Sequence, residues 1–176
     1  MNALFLLQLS DELPKGCHSY MLIMLRRLFD LNDECSMQKI RVLHVSSQLG
    51  IGGTEKAFQM SCQYLNKEIF ESAVCGIYEG GIRGDFLGEK GIETHVLNGD
   101  FSRLESLLCK NRVDLIHYYL GWSTETIREV VNTARRAGTQ VIVETNIFGH
   151  YNLRETESFV DRHFLISKTV MLEYAA

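Results

Sequence analysis

The sequence predicts a doubly wound α/β domain, a mostly parallel sheet with helices on both faces. Short β-branched runs alternate with helical patterns from Met37 onward, and short links join them. That alternation is typical of right-handed βαβ units. A glycine-rich segment, Gly50-Ile51-Gly52-Gly53, directly follows the first predicted strand, as in Rossmann-like domains. We therefore expect the ligand cleft at the carboxyl ends of the strands.

The individual elements follow from hydrophobic periodicity and from capping residues. The six predicted strands are Ile40–Ser46, Ala73–Tyr78, Thr94–Leu97, Val113–Tyr119, Gln140–Thr145 and His163–Ser167. The predicted helices are Thr54–Leu65, Gly84–Lys90, one that begins with a capping box of Ser102 and Glu105, and one from Ser123 or Thr124 to Ala137. Thr54 is the predicted N-cap of the first helix, and Gly91 and Gly138 are expected to end the second and the fourth.

The chain divides into two unequal parts. Residues 1–36 contain the only proline, Pro14, and a basic and apolar stretch, Tyr20–Leu31. This stretch fits a short amphipathic helix that lies on a membrane or on the domain. Met37 directly precedes the first predicted strand, and we hypothesise that it is the true start of the protein. Residues 37–176 then form the Rossmann-like domain.

The composition argues against several classes of protein. The chain has 176 residues, of which 45% are hydrophobic and 23% charged, and its net charge of −4 gives no general attraction for nucleic acid. Five cysteines show no zinc-ligand spacing, so we expect no metal and interpret them as reduced thiols of a cytoplasmic protein. No apolar run is long enough to span a membrane, and the N-terminus makes a poor signal peptide.

The glycine-rich loop is the strongest local signal. Its glycines let the backbone come close to a ligand, and the helix that begins near Thr54 presents free N–H groups and the positive end of its dipole. A phosphate or diphosphate at Gly52, Gly53 and Thr54 is the expected guest, and a turn that merely joins strand to helix is the alternative. Glu55 would repel a phosphate that it faced. We expect it to favour the helix dipole from the side or to bind an acceptor hydroxyl.

The loop matches a dinucleotide-binding fingerprint only weakly. Gly50 and Gly52 fill the first two positions of G-x-G-x-x-G, but Glu55 occupies the third. The acidic candidate for a ribose, Glu79, follows Gly50 by 29 residues, whereas the fingerprint expects about 20. A dinucleotide-binding oxidoreductase domain is therefore the alternative enzyme class.

Two histidines lie close to the predicted switch point of the sheet. His44 and His117 belong to the first and fourth strands, which are neighbours in a doubly wound sheet. Each is either a hydrogen-bonded core histidine or a catalytic group. Tyr119 and Trp122 follow His117 at the strand end, where aromatic faces stack on a sugar ring or fill space.

Two further polar residues follow the fifth strand. Asn146 is suited to donate a hydrogen bond to a reacting or leaving oxygen, and His150 to act as an acid or base. The sequence shows no nucleophile–base–orienter set and no carboxylate pair with catalytic spacing. These residues alone do not complete a catalytic site.

From residue 39 to 176 the chain resembles the N-terminal domain of family 4 glycosyltransferases, the retaining enzymes of GT-B fold. The segments that carry the resemblance are KIRVLHVSSQLGIGGTEK, EKGIETHVL, DLIHYYLGW, QVIVETNIFGH and VDRHFLISKT. They contain the Gly-Gly-x-Glu of that family at Gly52–Glu55, its V-D-x-x-H strand, and its V-D…S segment from Val160-Asp161 to Ser167. Their order and spacing, more than any single piece, support the resemblance.

The resemblance implies an acceptor-binding domain whose glycine loop approaches the diphosphate of a nucleotide-sugar donor. A second Rossmann-like domain with a Glu-x7-Glu motif holds the donor in that family, and nothing here corresponds to it. We expect an incomplete, inactive half that needs a donor-domain partner chain and no cofactor, or a non-catalytic binding domain. The resemblance also implies a sugar or lipid-linked acceptor. The implied catalytic residues are Asn146, His150 and His117, and the implied acceptor-binding residues are Glu55, Tyr119 and Trp122.

Two substitutions depart from the family pattern. Asn146 stands where many members carry a histidine, and Tyr119 replaces the second histidine of the common H-x-H. An interface with a second domain also predicts exposed apolar residues at the carboxyl ends of the strands. The seven candidates are Leu49, Ile51, Leu120, Trp122, Ile147, Phe148 and Tyr151.

Overall fold

The sheet has six parallel strands in the order β3-β2-β1-β4-β5-β6, in a computed structural model that describes residues 39–119, 123–147 and 158–170. The strands are β1 Ile40–Gln48, β2 Phe70–Glu79, β3 Glu93–Val96, β4 Leu115–Tyr119, β5 Val141–Asn146 and β6 Arg162–Leu165. This is the order of a Rossmann-like sheet, and its switch point lies between β1 and β4. The predicted doubly wound α/β fold is confirmed.

In the described part of the chain, four complete helices cover the two faces of the sheet: α1 Gly53–Tyr64, α2 Ile82–Glu89, α3 Phe101–Asn111 and α4 Thr124–Arg136. On one face, α1 and α2 bury Phe58, Cys62 and Leu87 against the strands. On the other face, α3 and α4 bury a larger apolar layer that includes Leu104, Ile127 and β-strand residues. The expectation of helices on both faces is confirmed. No described helix is long and apolar enough to cross a membrane.

Two of the predicted N-caps are wrong and one is confirmed. Gly52, and not Thr54, is the N-cap of α1, which has no side-chain cap. Asp100 caps α3 instead of Ser102, because its carboxylate accepts the Ser102 N–H at 3.0 Å. Ser123 caps α4 by accepting the Thr126 N–H at 3.2 Å, as expected. A carboxylate also interacts with the helix dipole, which favours Asp100 over a hydroxyl.

The predicted helix ends are confirmed at two glycines. Gly91 and Gly138 follow α2 and α4 with φ of 77° and 82°, a conformation that side chains disfavour. The predicted extension, residues 1–36 with Tyr20–Leu31, lies outside the described residues, and so does Met37.

Two aspartates connect neighbouring strands near their amino ends by hydrogen bonds. Asp114, just before β4, accepts the Arg41 N–H at 2.8 Å and donates its own N–H to the Arg41 carbonyl at 3.0 Å. Asp161, just before β6, makes the same pair of bonds with Ile142 of β5, both at 2.8 Å. Arg135 of α4 adds a bond to the Asp161 carboxylate at 2.9 Å. These bonds align β1 with β4 and β5 with β6.

Candidate functional site

The candidate site lies where β1 and β4 end and the sheet changes direction. His44 and His117 are direct partners across these strands, as the sequence predicted. The helix that follows β1 packs on one face of the sheet, and the helix that follows β4 packs on the other. A crevice opens between such helices at the carboxyl edge, which is where open α/β sheets bind ligands.

The glycine loop is held by the neighbouring turn between β2 and α2. The Leu49 carbonyl accepts the N–H of Arg83 at 3.0 Å and that of Gly84 at 3.4 Å. Gly81 lies so close that a Cβ on it would fall 2.9 Å from both the Gly50 Cα and the Leu49 oxygen, and its φ is 140°. The turn therefore fixes the loop from one side and uses the first N–H groups of α2.

The two central glycines of the loop have different surroundings. Gly52 has extended backbone, and a Cβ there would fall 2.1 Å from the Glu55 Oε2 atom. A Cβ on Gly53 would meet no atom within 4 Å. Gly53 is exposed and Thr54 is half-buried at the start of α1. The open side of the loop is thus at Gly53, next to the amino end of a helix, and a phosphate at this position stays a prediction.

Glu55 turns its carboxylate back toward the loop. Only 9% of the residue is exposed, and Gln48 donates its side-chain N–H to Glu55 Oε1 at 3.1 Å. The carboxylate therefore flanks the amino end of α1, in line with the expected favourable interaction with the helix dipole. Its predicted role in binding an acceptor hydroxyl stays a prediction.

Arg83 is a cation beside the loop that the sequence analysis missed. Its guanidinium donates to Gln59 Oε1 at 2.6 Å and to the Gly52 carbonyl at 3.5 Å. Because Gln59 belongs to α1, the bond ties the side chain to the helix that carries the candidate phosphate site. The signal was present in the sequence as a basic residue just after the Gly80-Gly81 pair.

His44, His117 and Tyr119 form one buried group on the face of the sheet that α1 covers. The rings of His44 and His117 are 5.5 Å apart, and Tyr119 Oη lies 3.1 Å from His117 Nδ1. His117 Nε2 is bonded to Thr145 Oγ1 at 2.7 Å. No described residue is hydrogen-bonded to either ring nitrogen of His44.

Burial sets the protonation of this group. It lowers the pKa of His44 to about 3, and burial together with the neighbouring His44 holds the pKa of His117 well below its usual value. Burial also raises the pKa of Tyr119. Both imidazoles are therefore neutral at physiological pH, and His117 is held as a hydrogen-bonding residue of the sheet interior.

The structure separates Asn146 from the histidine group. Asn146 ends β5 and is 5% exposed. Side chains alternate along a strand, so Asn146 lies on the opposite face from Thr145 and hence from His117. The other two predicted residues, His150 and Trp122, lie outside the described residues.

A carboxylate–imidazole pair lies on the same face as Asn146. Glu144 of β5 and His163 of β6 are direct strand partners, and Oε2 and Nδ1 are 2.5 Å apart. The Glu144 side chain is 2% exposed and that of His163 is 20% exposed. Sequence reasoning missed this pair because it depends on the register of two strands that are distant along the chain.

The exposed apolar candidates divide into three groups. Leu49 is fully buried, so its predicted exposure is wrong: it packs against Phe58 and Leu87 beneath the loop. Ile51 is 80% exposed and Ile147 is half-buried. Ile82, which was not predicted, is 61% exposed at the start of α2. The remaining candidates lie outside the described residues: Leu120, Trp122, Phe148 and Tyr151.

Comparison of the chain with protein-family models, with curated proteins and with solved structures gives no match. In the part of the chain that the structure describes, no group of three or more His, Cys, Asp or Glu side chains is placed to hold a metal ion. The described cysteines, Cys62, Cys75 and Cys109, are free.

Proposed function

We propose that the chain is the acceptor-side domain of a retaining glycosyltransferase of GT-B type. It acts with a donor-binding domain to move a sugar from a nucleotide-sugar to a sugar or lipid-linked acceptor. The observation that carries the proposal is the amino end of α1 at the switch point. A side chain caps α3 and another caps α4, whereas α1 and α2 both begin after a glycine without a side-chain cap. The amino end of α2 donates to the Leu49 carbonyl, and α1 has open space at Gly53.

The position of the loop, its helix N-terminus and a nearby guanidinium favour a diphosphate there, and the Glu55 carboxylate opposes it. A helix N-terminus attracts anions through its N–H groups and its dipole. Arg83 brings a guanidinium to the Gly52 carbonyl, close enough to add to the positive potential. The exposed Ile51 and Ile82 flank the same loop and suit contact with a second domain.

The remaining parts of the proposal follow from the same site. The donor diphosphate is held between the glycine loop and the donor domain, with Gly52, Gly53 and Thr54 on this side. Tyr119 and His117 are buried, which leaves them little surface for the acceptor. The acceptor is therefore contacted by residues that are exposed at the carboxyl ends of the strands. We also propose a cytoplasmic location, which the free thiols of the described cysteines support.

The test is a binding experiment on a Gly53→Val variant. Uridine diphosphate is titrated into the full chain, and binding is followed by the amide shifts of residues 50–55. We expect weak binding by the wild type and none by Gly53→Val, because the branched side chain fills the space at which the phosphate approaches. Gly88→Ala is the matched control, since Gly88 lies in α2 with its nearest neighbour at 3.8 Å.

The structure allows a clear outcome from this variant. A Cβ at Gly53 meets no atom within 4 Å, so the fold is expected to survive the change. Unchanged binding by Gly53→Val would remove the loop from the proposed site. Equal loss in Gly88→Ala would show that the effect is not local.

A dinucleotide-binding domain is the second candidate, and one observation favours it. Glu79 is the last residue of β2 and is exposed beside the glycine loop, where Rossmann-like domains place the acid that binds a ribose. Glu55, at the third fingerprint position, weighs against it. Including NAD in the same titration separates the two, because only the second candidate predicts tighter binding of NAD than of uridine diphosphate.

A further inference from the structure

The glycine loop carries an anion of its own. Glu55 is the third residue of α1, and its Oε2 atom lies beside Gly52. A Cβ built on Gly52 would be only 2.1 Å from this oxygen, so the two could not be present together. The other oxygen, Oε1, accepts the Gln48 side-chain N–H at 3.1 Å. A glutamate at this helical position commonly folds back toward the N-cap. Because Gly52 has no side chain, the carboxylate takes the position that an N-cap side chain would fill.

The charge of this carboxylate is not cancelled by a neighbour. Among the residues that the structure describes, no cation forms an ion pair with Glu55, and its hydrogen-bond donor, Gln48, is neutral. Arg83 approaches Gly52 from its carbonyl oxygen and donates to Gln59. A phosphate at Gly53 would therefore lie near one fixed negative charge and one fixed positive charge.

We propose that Glu55 is a specificity-determining residue of the loop, a resident anion that weakens the binding of free phosphate and pyrophosphate. Repulsion from Glu55 offsets the attraction of the helix N-terminus. A phosphate ester is retained only when its other parts are anchored elsewhere, as a nucleotide-sugar is by a donor domain. The inference rests on the proposed function, because it assumes that the diphosphate approaches at Gly53.

Inorganic pyrophosphate is the probe, because it carries the charge of the diphosphate without any other anchor. Its affinity for the full chain is measured by calorimetry at fixed ionic strength for the wild type and Glu55→Gln. The glutamine keeps an oxygen for the Gln48 N–H and removes the charge. We expect Glu55→Gln to bind on the order of tenfold more tightly, the effect of one unit charge a few ångströms away at a partly solvated site.

Two further variants make the result specific. Glu89→Gln makes the same change of net charge at an exposed position at the end of α2, and we expect no gain. Gly52→Ala pushes the carboxylate out of its place with only a flexible side chain to move, and we expect a gain in the direction of Glu55→Gln. Gly52→Ala also provides the test if Glu55→Gln fails to fold.

Each outcome decides one claim. Affinity in Glu55→Gln that equals or falls below the wild-type value overturns the inference, and so does an equal gain in Glu89→Gln. If the wild type binds pyrophosphate and Glu55→Gln binds it equally, the diphosphate site stands and only the role of Glu55 falls. If neither protein binds pyrophosphate, both the inference and the proposed site fall.

Discussion

Replacing His44 with leucine is expected to stabilise the fold and to remove part of its sensitivity to acid. His44 is fully buried, and neither ring nitrogen has a hydrogen-bond partner among the described residues. An unsatisfied buried polar group costs about 1–3 kcal/mol. The ring borders a recess whose other lining residues are apolar except His117, which suits a leucine of similar volume. We therefore expect a gain of about 1–3 kcal/mol in the free energy of unfolding at pH 7.

The acid sensitivity follows from the pKa of His44, lowered from 6.5 to about 3 by burial. Below pH 6.5 the His44 side chain binds a proton in the unfolded chain, whereas in the folded chain it binds one only near pH 3. The free energy of unfolding therefore falls as the pH falls through that window. Each histidine of this kind costs up to about 1.4 kcal/mol per pH unit, or about 2 kcal/mol between pH 6.5 and 5. The pKa of His117 is lowered as well, so His44→Leu should remove the part of the loss that His44 causes and leave the part that His117 causes.

The assay is urea unfolding followed by circular dichroism at pH 7.5, 6.5, 5.5 and 5. The variant is compared with the wild type and with His95→Gln, a histidine control on edge strand β3 with a quarter of its side chain exposed. A His44→Leu protein that is less stable at pH 7, or that loses stability with acid as steeply as the wild type, would refute the reasoning. Either result would mean that the imidazole has a hydrogen-bond partner in the folded protein.

Two other variants test the strand clamps and the exposed loop. Asp161→Ala leaves the Ile142 N–H without its carboxylate and Arg135 without its ion pair, so we expect a loss of about 1–3 kcal/mol in urea unfolding. Asp114→Ala should behave alike through Arg41, and a loss below about 0.5 kcal/mol in both would contradict the clamp. Because Ile51 is 80% exposed on the surface proposed to meet a second domain, the isolated chain is expected to self-associate in sedimentation experiments. Ile51→Ser should reduce that self-association and change stability by less than about 0.5 kcal/mol. Unchanged self-association would remove Ile51 from the interface.

Much of the fold follows from local patterns in the sequence. The alternation of strand and helix patterns predicts the parallel sheet, and the usual strand order then places His44 beside His117, as the structure shows. The caps at Asp100 and Gly52 were missed because the N-cap is set by the residue at which the helical backbone begins, and the sequence pattern does not fix that residue. β2 begins at Phe70, three residues before the predicted start. The prediction began too late because Glu71 and Ser72 interrupt the apolar run that was used to recognise the strand.

The parts of the site that were missed depend on contacts between distant segments. Arg83 acquires its place through the close approach of Gly81 to Gly50, which no periodicity reveals. The Glu144–His163 pair exists only because β5 and β6 align in one register. Leu49 was expected to face outward because it lies in a loop. It is buried because the turn after β2 packs over that loop.

The Val-Asp pairs show why sequence resemblance in this chain speaks more for fold than for function. The resemblance to a glycosyltransferase domain depends in part on Val113-Asp114 and Val160-Asp161. In the structure, however, each aspartate carboxylate accepts a backbone N–H of a neighbouring strand. Any parallel sheet that needs the same alignment can use the same residues, whatever its ligand. The glycine loop is different, because the fold does not need open space at Gly53, whereas a ligand does. The binding tests at Gly53 and Glu55 therefore bear on function directly, and those at Asp114 and Asp161 bear only on stability.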